Sequence, residues 1–438
     1  MRASAVTEPH IEALYKRVTL RLVPFLFICY LCAYLDRVNV GFAKLQMLSD
    51  LKFSETVYGM GAGIFFAGYF LFEVPSNLLL ERVGPKLWIA RIMISWGIIS
   101  VLMMFVSGET SFYVLRFVLG VAEAGFFPGI ILYLTYWFPH DRRGRIIALF
   151  MTAVAISGVV GGPLSGWIME EFPGKHGIAG WQWLFLLEGI PSIILGIATF
   201  VYLDDSIKKA RWLTDAEKVL LQERLDQEHA TKVHIPLAKV FFDVHVWVFS
   251  AIYFLLVMGL YGIGFWLPNI IKAAGVTNLF HNGLLSAIPY FVAAITMVLV
   301  GKSSDRSGER YWHIIICAWV AAFGFWLSSE NPDSIVIALI GITIASAGVL
   351  SAISLSWALP TAYLSGTAAA AGIAMVNSIG NLSGFVSPTL VGWIKDVTGN
   401  LSGGLYMLSG SIAGAGIMVM VAYFMRHKQG LVRTAARA

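Results

Sequence analysis

The sequence contains few charged residues. They make up 13% of the 438 residues, and the hydrophobic fraction is 58% with a mean hydropathy of +0.74. Soluble globular proteins carry about 25% charged residues, so this composition excludes a soluble protein and predicts an integral membrane protein. The net charge of +5 could indicate a nucleic-acid partner. The placement of basic residues in loops explains that charge better, and no nucleic acid is expected.

Motifs for metals and nucleotides are also lacking. The chain has three cysteines, all in apolar runs, and Cys29-x-x-Cys32 has neither a second pair nor a nearby histidine. The nine histidines show no metal-binding spacing, and no Walker loop is present. No nucleophile–base pair is visible either. We therefore expect no metal, no cofactor, no ATP drive and no enzyme activity.

The sequence contains many long apolar runs. A spanning helix needs about 20 such residues, and twelve runs qualify, the first over residues 18–40. The longest polar interval divides them into two sets of six. This pattern predicts an all-α membrane protein with twelve transmembrane helices in two pseudo-symmetric bundles. The predicted units are an N-terminal bundle at 1–203, a cytoplasmic linker at 204–240 and a C-terminal bundle at 241–438.

Basic residues predict the orientation. With both termini and the linker in the cytoplasm, twenty-four of the 31 Lys and Arg residues lie on that side and five on the other, with Lys44 counted among the five. The positive-inside rule favours this arrangement. We expect a multi-pass protein of the bacterial inner membrane, in contact with the lipid bilayer and monomeric.

The two halves repeat each other. The turn Glu81-Arg82-Val83-Gly84 after the second run returns as Asp305-Arg306-Ser307-Gly308 after the eighth. Transporters built from repeats bind substrate near the bilayer midplane, between the repeats. The glycine-rich runs 157–166 and 366–384 are expected to be close-packing helix surfaces.

Four charged residues interrupt the apolar runs of the first half. Asp36 and Arg37 follow the first run, and Arg116 and Glu123, seven residues apart, share one face of the fourth at a separation of about 10.5 Å. Charges at membrane depth normally face a protein interior or a wet cavity. We expect these four side chains to converge on one pocket, although a static ion-pair network between the two helices is the alternative.

The chemistry of these groups suggests coupled binding. The planar fork of Arg37 suits a carboxylate, whereas Asp36 and Glu123 can take up protons. An anion bound to Arg37 would weaken its hold on the acids and favour their protonation. Anion uptake would then be linked to proton uptake.

Several motifs carry a family resemblance. Residues 34–39 (Tyr-Leu-Asp-Arg-Val-Asn), the Arg116 and Glu123 pair, residues 72–77 (Phe-Glu-Val-Pro-Ser-Asn) and residues 183–189 (Trp-Leu-Phe-Leu-Leu-Glu-Gly) resemble the anion:cation symporter family of the major facilitator superfamily. That family includes bacterial carriers of sugar acids, tartrate, phthalate and hydroxyphenylacetate. The resemblance implies the fold above and a carrier of organic anions.

The resemblance also implies roles for individual residues. Asp36 and Glu123 match the protonatable acids, Arg116 matches their arginine partner, and Arg37 matches the carboxylate-binding arginine. Sugar-acid members tend to offer an amide in the fifth helix, where this chain has residues 153–156 (Ala-Val-Ala-Ile). A less hydroxylated or aromatic acid is therefore favoured. The remaining implied substrate contacts are Tyr34, Tyr69, Ser354, Ser356, Trp357 and Asn377, and the repeat adds Tyr261, which occupies the place of Asp36 in the second half.

Charges at the loops suggest gates. We expect Glu81, Arg82, Asp305, Arg306 and Arg142 to pair across the cytoplasmic face and hold the outward-open state, with solvated loop charges as the alternative. Glu73 is expected to have a structural or gating role. Glu188 is expected to be structural.

The prediction for function is a proton-coupled symporter. It would import a small organic anion, a carboxylate such as an aromatic or dicarboxylic acid, by alternating access, with protons as the coupled ion. A drug/proton antiporter of the same fold is one alternative, but the two arginines that balance the two acids favour an anion. A receptor that senses an anion without transporting it is the other.

Overall fold

The computed structural model describes residues 8–229, 242–363 and 366–435, and these residues are helical over most of their length. In that part of the chain, eleven helices are long and apolar enough to cross a membrane. The helix Gly366–Thr398 completes the predicted twelve. The spanning helices are α1 (Glu8–Val38 and Val40–Leu51), α2 (Glu55–Val83), α3 (Pro85–Leu102), α4 (Glu109–Glu123 and Phe126–Thr135), α5 (His140–Glu171), α6 (Gly180–Tyr202), α7 (Val244–Ala273), α8 (Leu279–Ser307), α9 (Tyr311–Glu330), α10 (Ile335–Ser356 and Ala358–Tyr363), α11 (Gly366–Thr398) and α12 (Ser402–Ala435).

Helix α1 is longer than the sequence predicts. The expected end was residue 40, but the helix continues past Asn39, whose N–H donates to the Leu35 carbonyl at 2.9 Å, and ends at Leu51. Asp36 and Arg37 therefore lie well inside the span and not at its end. The count of loop charges was wrong for Lys44, because it lies in this continuation and is buried.

Helix α4 is interrupted directly after Glu123. Gly125 has φ = +84°, a conformation that favours glycine because it has no Cβ. A Cβ there would also collide with the side chain of Ser76 on α2. The break ends the first segment of α4 at Glu123 and sets where its carboxylate lies.

The two halves meet through paired helices. Helix α5 packs on α8, and α2 packs on α11. A Cβ on Gly162 would lie 2.6 Å from the Gly283 carbonyl, and one on Gly63 would lie 2.7 Å from the Phe385 carbonyl. The prediction that the run 157–166 packs closely against another helix is confirmed.

The linker marks one end of the molecule, called here the linker end. Its helix Asp215–His229 lies against the start of α1, where Arg17 pairs with Glu217 at 2.5 Å. The Trp212 ring stacks on Trp137 with 5.8 Å between centroids. The opposite end is called the far end.

Polar contacts join the halves at the far end. Asp396 of α11 accepts the backbone N–H groups of Glu55 and Thr56 at 3.1 and 2.7 Å, and Lys395 pairs with Glu55 at 2.5 Å. Lys44 also pairs with Glu55 and lies over the Trp266 ring of α7 at 3.4 Å. The far end is therefore closed, with further contacts between the halves at Glu170–Asn278, Glu170–Leu279, Lys272–Leu45 and Tyr58–Phe265.

We expect Asp396→Ala to open the far end. It removes three hydrogen bonds to one carboxylate, from the N–H groups of Glu55 and Thr56 and from the Thr56 hydroxyl, each contributing about 1.5–3 kcal/mol when a partner is charged. Spin labels at Glu109 and Thr277, placed in a chain whose native cysteines are replaced, should report a larger population of long distances. The matched control is Asp333→Ala, an exposed acid of the same end. Identical distance distributions for Asp396→Ala and wild type would show that this contact does not hold the far end closed.

Candidate functional site

An ion pair lies between the two halves. The Arg37 guanidinium of α1 binds the Glu123 carboxylate of α4 through Nη2, and Nη1 donates to the Tyr261 hydroxyl of α7 at 3.4 Å. That hydroxyl donates to Asn381 Oδ1 of α11 at 3.3 Å. Arg37 is 7% exposed and Glu123 is 1% exposed. A permanent charge of the first half thus reaches neutral polar groups of the second half.

Aromatic rings surround the guanidinium. The centroids of Phe65, Tyr69 and Phe66 of α2 lie 5.5, 5.4 and 6.0 Å from the central carbon of Arg37. Rings at this distance attract a cation through their π faces. Tyr69, expected to face substrate, is therefore beside Arg37. Tyr34 is one turn away on α1 and buried, and its hydroxyl has no partner in the described structure.

Asp36 points away from this ion pair. Its carboxylate accepts hydrogen bonds from Trp96 Nε1 at 2.9 Å and Ser100 Oγ at 3.0 Å, both of α3, and from Ser192 Oγ of α6 at 2.6 Å. Asp36 is 2% exposed. It is enclosed within the first half, among neutral donors.

Arg116 also makes contacts of its own. Its Nε donates to the Gly61 carbonyl and its Nη2 to the Ala62 carbonyl, both at 3.1 Å. These bonds tie α4 to the backbone of α2. The expectation that all four charges converge on one pocket is therefore wrong: Arg37 and Glu123 meet, whereas Asp36 and Arg116 bind other groups.

Among the predicted contacts of the second half, Asn377 reaches the first half. Asn377 Nδ2 and Ser378 Oγ of α11 donate to the two carboxylate oxygens of Glu73 on α2, at 3.2 and 3.1 Å. Glu73 is buried and lies one turn beyond Tyr69, toward the linker end. The Glu73 carboxylate thus binds two donors of the second half, and the Glu123 carboxylate binds Arg37 of the first.

The other predicted residues of α10 bind within their own half. The hydroxyls of Ser354 and Ser356 donate to carbonyls of their own helix, those of Ser351 and Ile353, at 2.9 and 2.7 Å. Trp357 packs on Tyr253 of α7 with 4.7 Å between ring centroids. The structure therefore does not bring these three side chains to Arg37.

Among the residues that the structure describes, no ion pair joins the predicted gating groups across the linker end. Asp305 pairs with Arg310 of its own half at 2.5 Å, and Arg142 pairs with Glu12 of α1. Glu81, Arg82 and Arg306 are exposed. Because the far end is closed here, the expectation that these groups pair in the opposite state stays a prediction.

The sequence did not predict several neutral residues that bind the charged side chains and Tyr261. Asn381 follows Asn377 by one helical turn and so shares its face, which could have identified it. Trp96, Ser100 and Ser192 carried no signal, because a tryptophan or serine in a spanning helix is usually packing.

The expected result for Arg116→Lys is a lower thermal stability. A lysine ammonium cannot reproduce two hydrogen bonds from one planar fork, and each bond to a charged group contributes about 1.5–3 kcal/mol. Thermal unfolding in detergent should show a lower midpoint for this variant. Arg211→Lys, on the exposed linker, should keep the wild-type midpoint. An unchanged midpoint for Arg116→Lys would mean that the bonds to α2 contribute nothing to stability.

Comparisons with known proteins agree with this architecture. Residues 26–388 match the model of the Major Facilitator Superfamily. A protein of Agrobacterium vitis assigned by name to tartrate transport is 49% identical over 424 residues, which cover 96% of this chain and 94% of that protein. A protein named as a quinolone resistance transporter in Acinetobacter baumannii is 41% identical over 400 residues, covering 90% and 91%.

A solved structure shares the fold. The xylose transporter XylE from E. coli, in a partially occluded inward open conformation, superposes with a TM-score of 0.73 at 12% identity. The match covers 92% of this chain and 97% of that one. At this identity the likeness concerns the arrangement of helices alone.

Proposed function

The chain belongs to the major facilitator superfamily, and on this basis we propose that it is a proton-coupled symporter importing a small organic anion across the bacterial inner membrane. One observation carries this proposal: the buried guanidinium of Arg37 bridges a carboxylate of the first half and a hydroxyl of the second. In the proposed cycle the anion binds between the halves, and the linker end faces the cytoplasm.

Arg37 supplies the anion site. Its fork is now occupied by the Glu123 carboxylate on one side and the Tyr261 hydroxyl on the other. A substrate carboxylate offers the same two oxygens that Glu123 offers, so it can replace that acid on the guanidinium. The surrounding rings of Phe65, Phe66 and Tyr69 favour an apolar or aromatic substrate body.

Replacement of Glu123 provides the coupling to protons. Once its guanidinium is taken, Glu123 is a carboxylate buried in the membrane without its ion-pair partner, and the nearby Arg116 is bonded to the backbone of α2, so the ionised form is costly. Taking up a proton removes that cost. Anion binding and protonation of Glu123 therefore favour each other.

A second pair of donors supports a dicarboxylic acid among the substrates. Asn377 and Ser378 hold the Glu73 carboxylate one helical turn, about 6 Å, from the level of Tyr69 and Arg37. A short dicarboxylate can present one carboxylate to Arg37 and the other to Asn377. The relative assigned to tartrate transport would carry a substrate of this kind.

Drug/proton antiport is the second candidate, because a relative is named for quinolone resistance. An antiporter moves protons and substrate in opposite directions. With an acidic exterior, protons would enter the vesicles and substrate would be expelled from them. The Arg37 site favours symport, since a bound carboxylate displaces an acid that must then take up a proton.

The decisive measurement is uptake of labelled mono- and dicarboxylates into proteoliposomes under an imposed pH gradient. We expect accumulation when the exterior is acidic and none when the gradient is collapsed. Accumulation that ignores the gradient would exclude proton coupling, and pH-driven expulsion would establish antiport.

Arg37→Lys tests the carboxylate site. Loss of the planar fork should weaken anion binding by about ten- to hundredfold, equivalent to one hydrogen bond between charged groups. Binding can be measured by calorimetry in detergent, with Arg211→Lys as the control. Wild-type affinity in Arg37→Lys would remove Arg37 from the anion site.

A further inference from the structure

A second polar cluster lies inside the first half, apart from the Arg37 ion pair. Its first layer is Asp36 with its three donors, Trp96, Ser100 and Ser192. Helix α6 provides Ser192, and the same face of α6 carries Glu188 one turn away, since residues four apart lie above one another.

Helix geometry places a second layer next to the first. Helices α1 and α6 run in opposite directions, so Asn39, three residues after Asp36, and Glu188, four residues before Ser192, are both displaced toward the far end. The Asn39 amide lies beside the Glu188 carboxylate. Ser165 of α5 donates to Glu188 Oε1 at 2.7 Å. The buried Asn39 amide (1% exposed) and Glu188 Oε2 have no hydrogen-bond partner in the described structure.

The two acids of this cluster lack a cation. Arg37 is engaged by Glu123, and Arg116 by the backbone of α2. Asp36 and Glu188 are 2% and 4% exposed. Asp36 and Glu188 lie within electrostatic range of each other, and two ionised carboxylates so placed in a membrane helix bundle would repel each other and would each lack water. Such a pair holds a proton or a bound cation.

The hydrogen bonds favour a proton over a metal ion. Three donors, one of them the indole N–H of Trp96, direct their hydrogens at the Asp36 oxygens and leave little room for a metal ion there. Glu188 accepts a hydrogen bond from Ser165 at Oε1 and has the Asn39 amide beside it, and its Oε2, which accepts no hydrogen bond in the described structure, can carry a hydrogen. The donor pattern thus suits an ionised Asp36 and a neutral Glu188.

We propose that Glu188 is a second proton carrier, which shares one proton with Asp36 and releases it during turnover. This inference rests on the proposed function, since it assigns part of the proton stoichiometry of that transport. The proton moves between the Glu188 and Asp36 carboxylates across the layer formed by Asn39 and Ser192. Glu123 carries the proton that is coupled directly to the anion, so the first half holds two separate proton sites.

Few other groups that titrate face this pair. Cys32 of α1 lies within electrostatic range of both acids. The described charges of α3 and α5 lie toward the ends of those helices, at Lys86 and Arg91 of α3 and at Arg142, Arg143, Glu170 and Glu171 of α5. Glu123 also lies within electrostatic range of Asp36, so the pH dependence of the pair is read from variants at Glu188, which leave Glu123 in place.

The test is the coupling ratio. In proteoliposomes with a fixed gradient of a transported carboxylate, the pH gradient that stops net flux gives the number of protons moved per anion. We expect Glu188→Gln, which keeps the size of the side chain, to move one proton fewer than wild type. Glu188→Asp should restore the wild-type ratio, and Glu171→Gln, an exposed acid of α5, should not alter it.

The outcomes separate the two proposals. A wild-type protein with no response to the pH gradient overturns the proposed function itself. A coupled wild type with an unchanged ratio in Glu188→Gln overturns the role of Glu188, even if the rate falls, because a structural role lowers rate without changing stoichiometry.

A second variant decides the matter if Glu188→Gln does not fold. Ser165→Ala removes the donor to Glu188 and keeps the acid, so the neutral form is favoured and the pH profile of uptake should shift to the alkaline side. A profile identical to wild type in Ser165→Ala overturns the inference.

Discussion

A guanidinium cannot lose its charge in a protein, and Arg37 holds one inside the membrane span. Its environment reflects that constraint. Glu123 supplies the opposite charge, Tyr261 supplies an acceptor oxygen, and the α2 rings supply polarisable faces. Because removing one partner of a buried ion pair is more costly than replacing it, Glu123 can leave only when another carboxylate takes its place. The proposed anion site therefore depends on the same charge that links Glu123 to Tyr261 of the second half.

The two halves contribute different chemistry to this arrangement. The first half holds the buried acids and arginines, whereas the second half offers Tyr261, Asn377, Ser378 and Asn381, all neutral. Neutral groups can bind and release a charged partner without a large penalty for being left alone. The second half is thus suited to move against the first, and the ion pair of Arg37 and Glu123 stays within the first half.

Hydropathy identifies eleven of the spanning helices in the described part of the chain, because twenty apolar residues have few other uses. It misplaced the end of α1, because Lys44 looks like a loop charge until Glu55 and the Trp266 ring surround it. For the site, charge at membrane depth predicted that Arg37, Glu123, Asp36 and Arg116 would meet, and of these only Arg37 and Glu123 form an ion pair in the described structure. The direction of Asp36 did not follow from charge, since neighbouring residues of a helix point about 100° apart and its partners come from α3 and α6.

The close approach of Gly162 to Gly283 has a mechanical consequence. No side chain separates the two backbones there, so this contact can serve as the fulcrum of a lever. The linker end of α5, at His140, is about 33 Å away at 1.5 Å per residue. A rotation of only about 10° around such a fulcrum sweeps that end through about 6 Å, a displacement comparable to the pitch of an α-helix. Small-residue contacts near one end of a bundle can thereby convert modest tilting into a large aperture at the other.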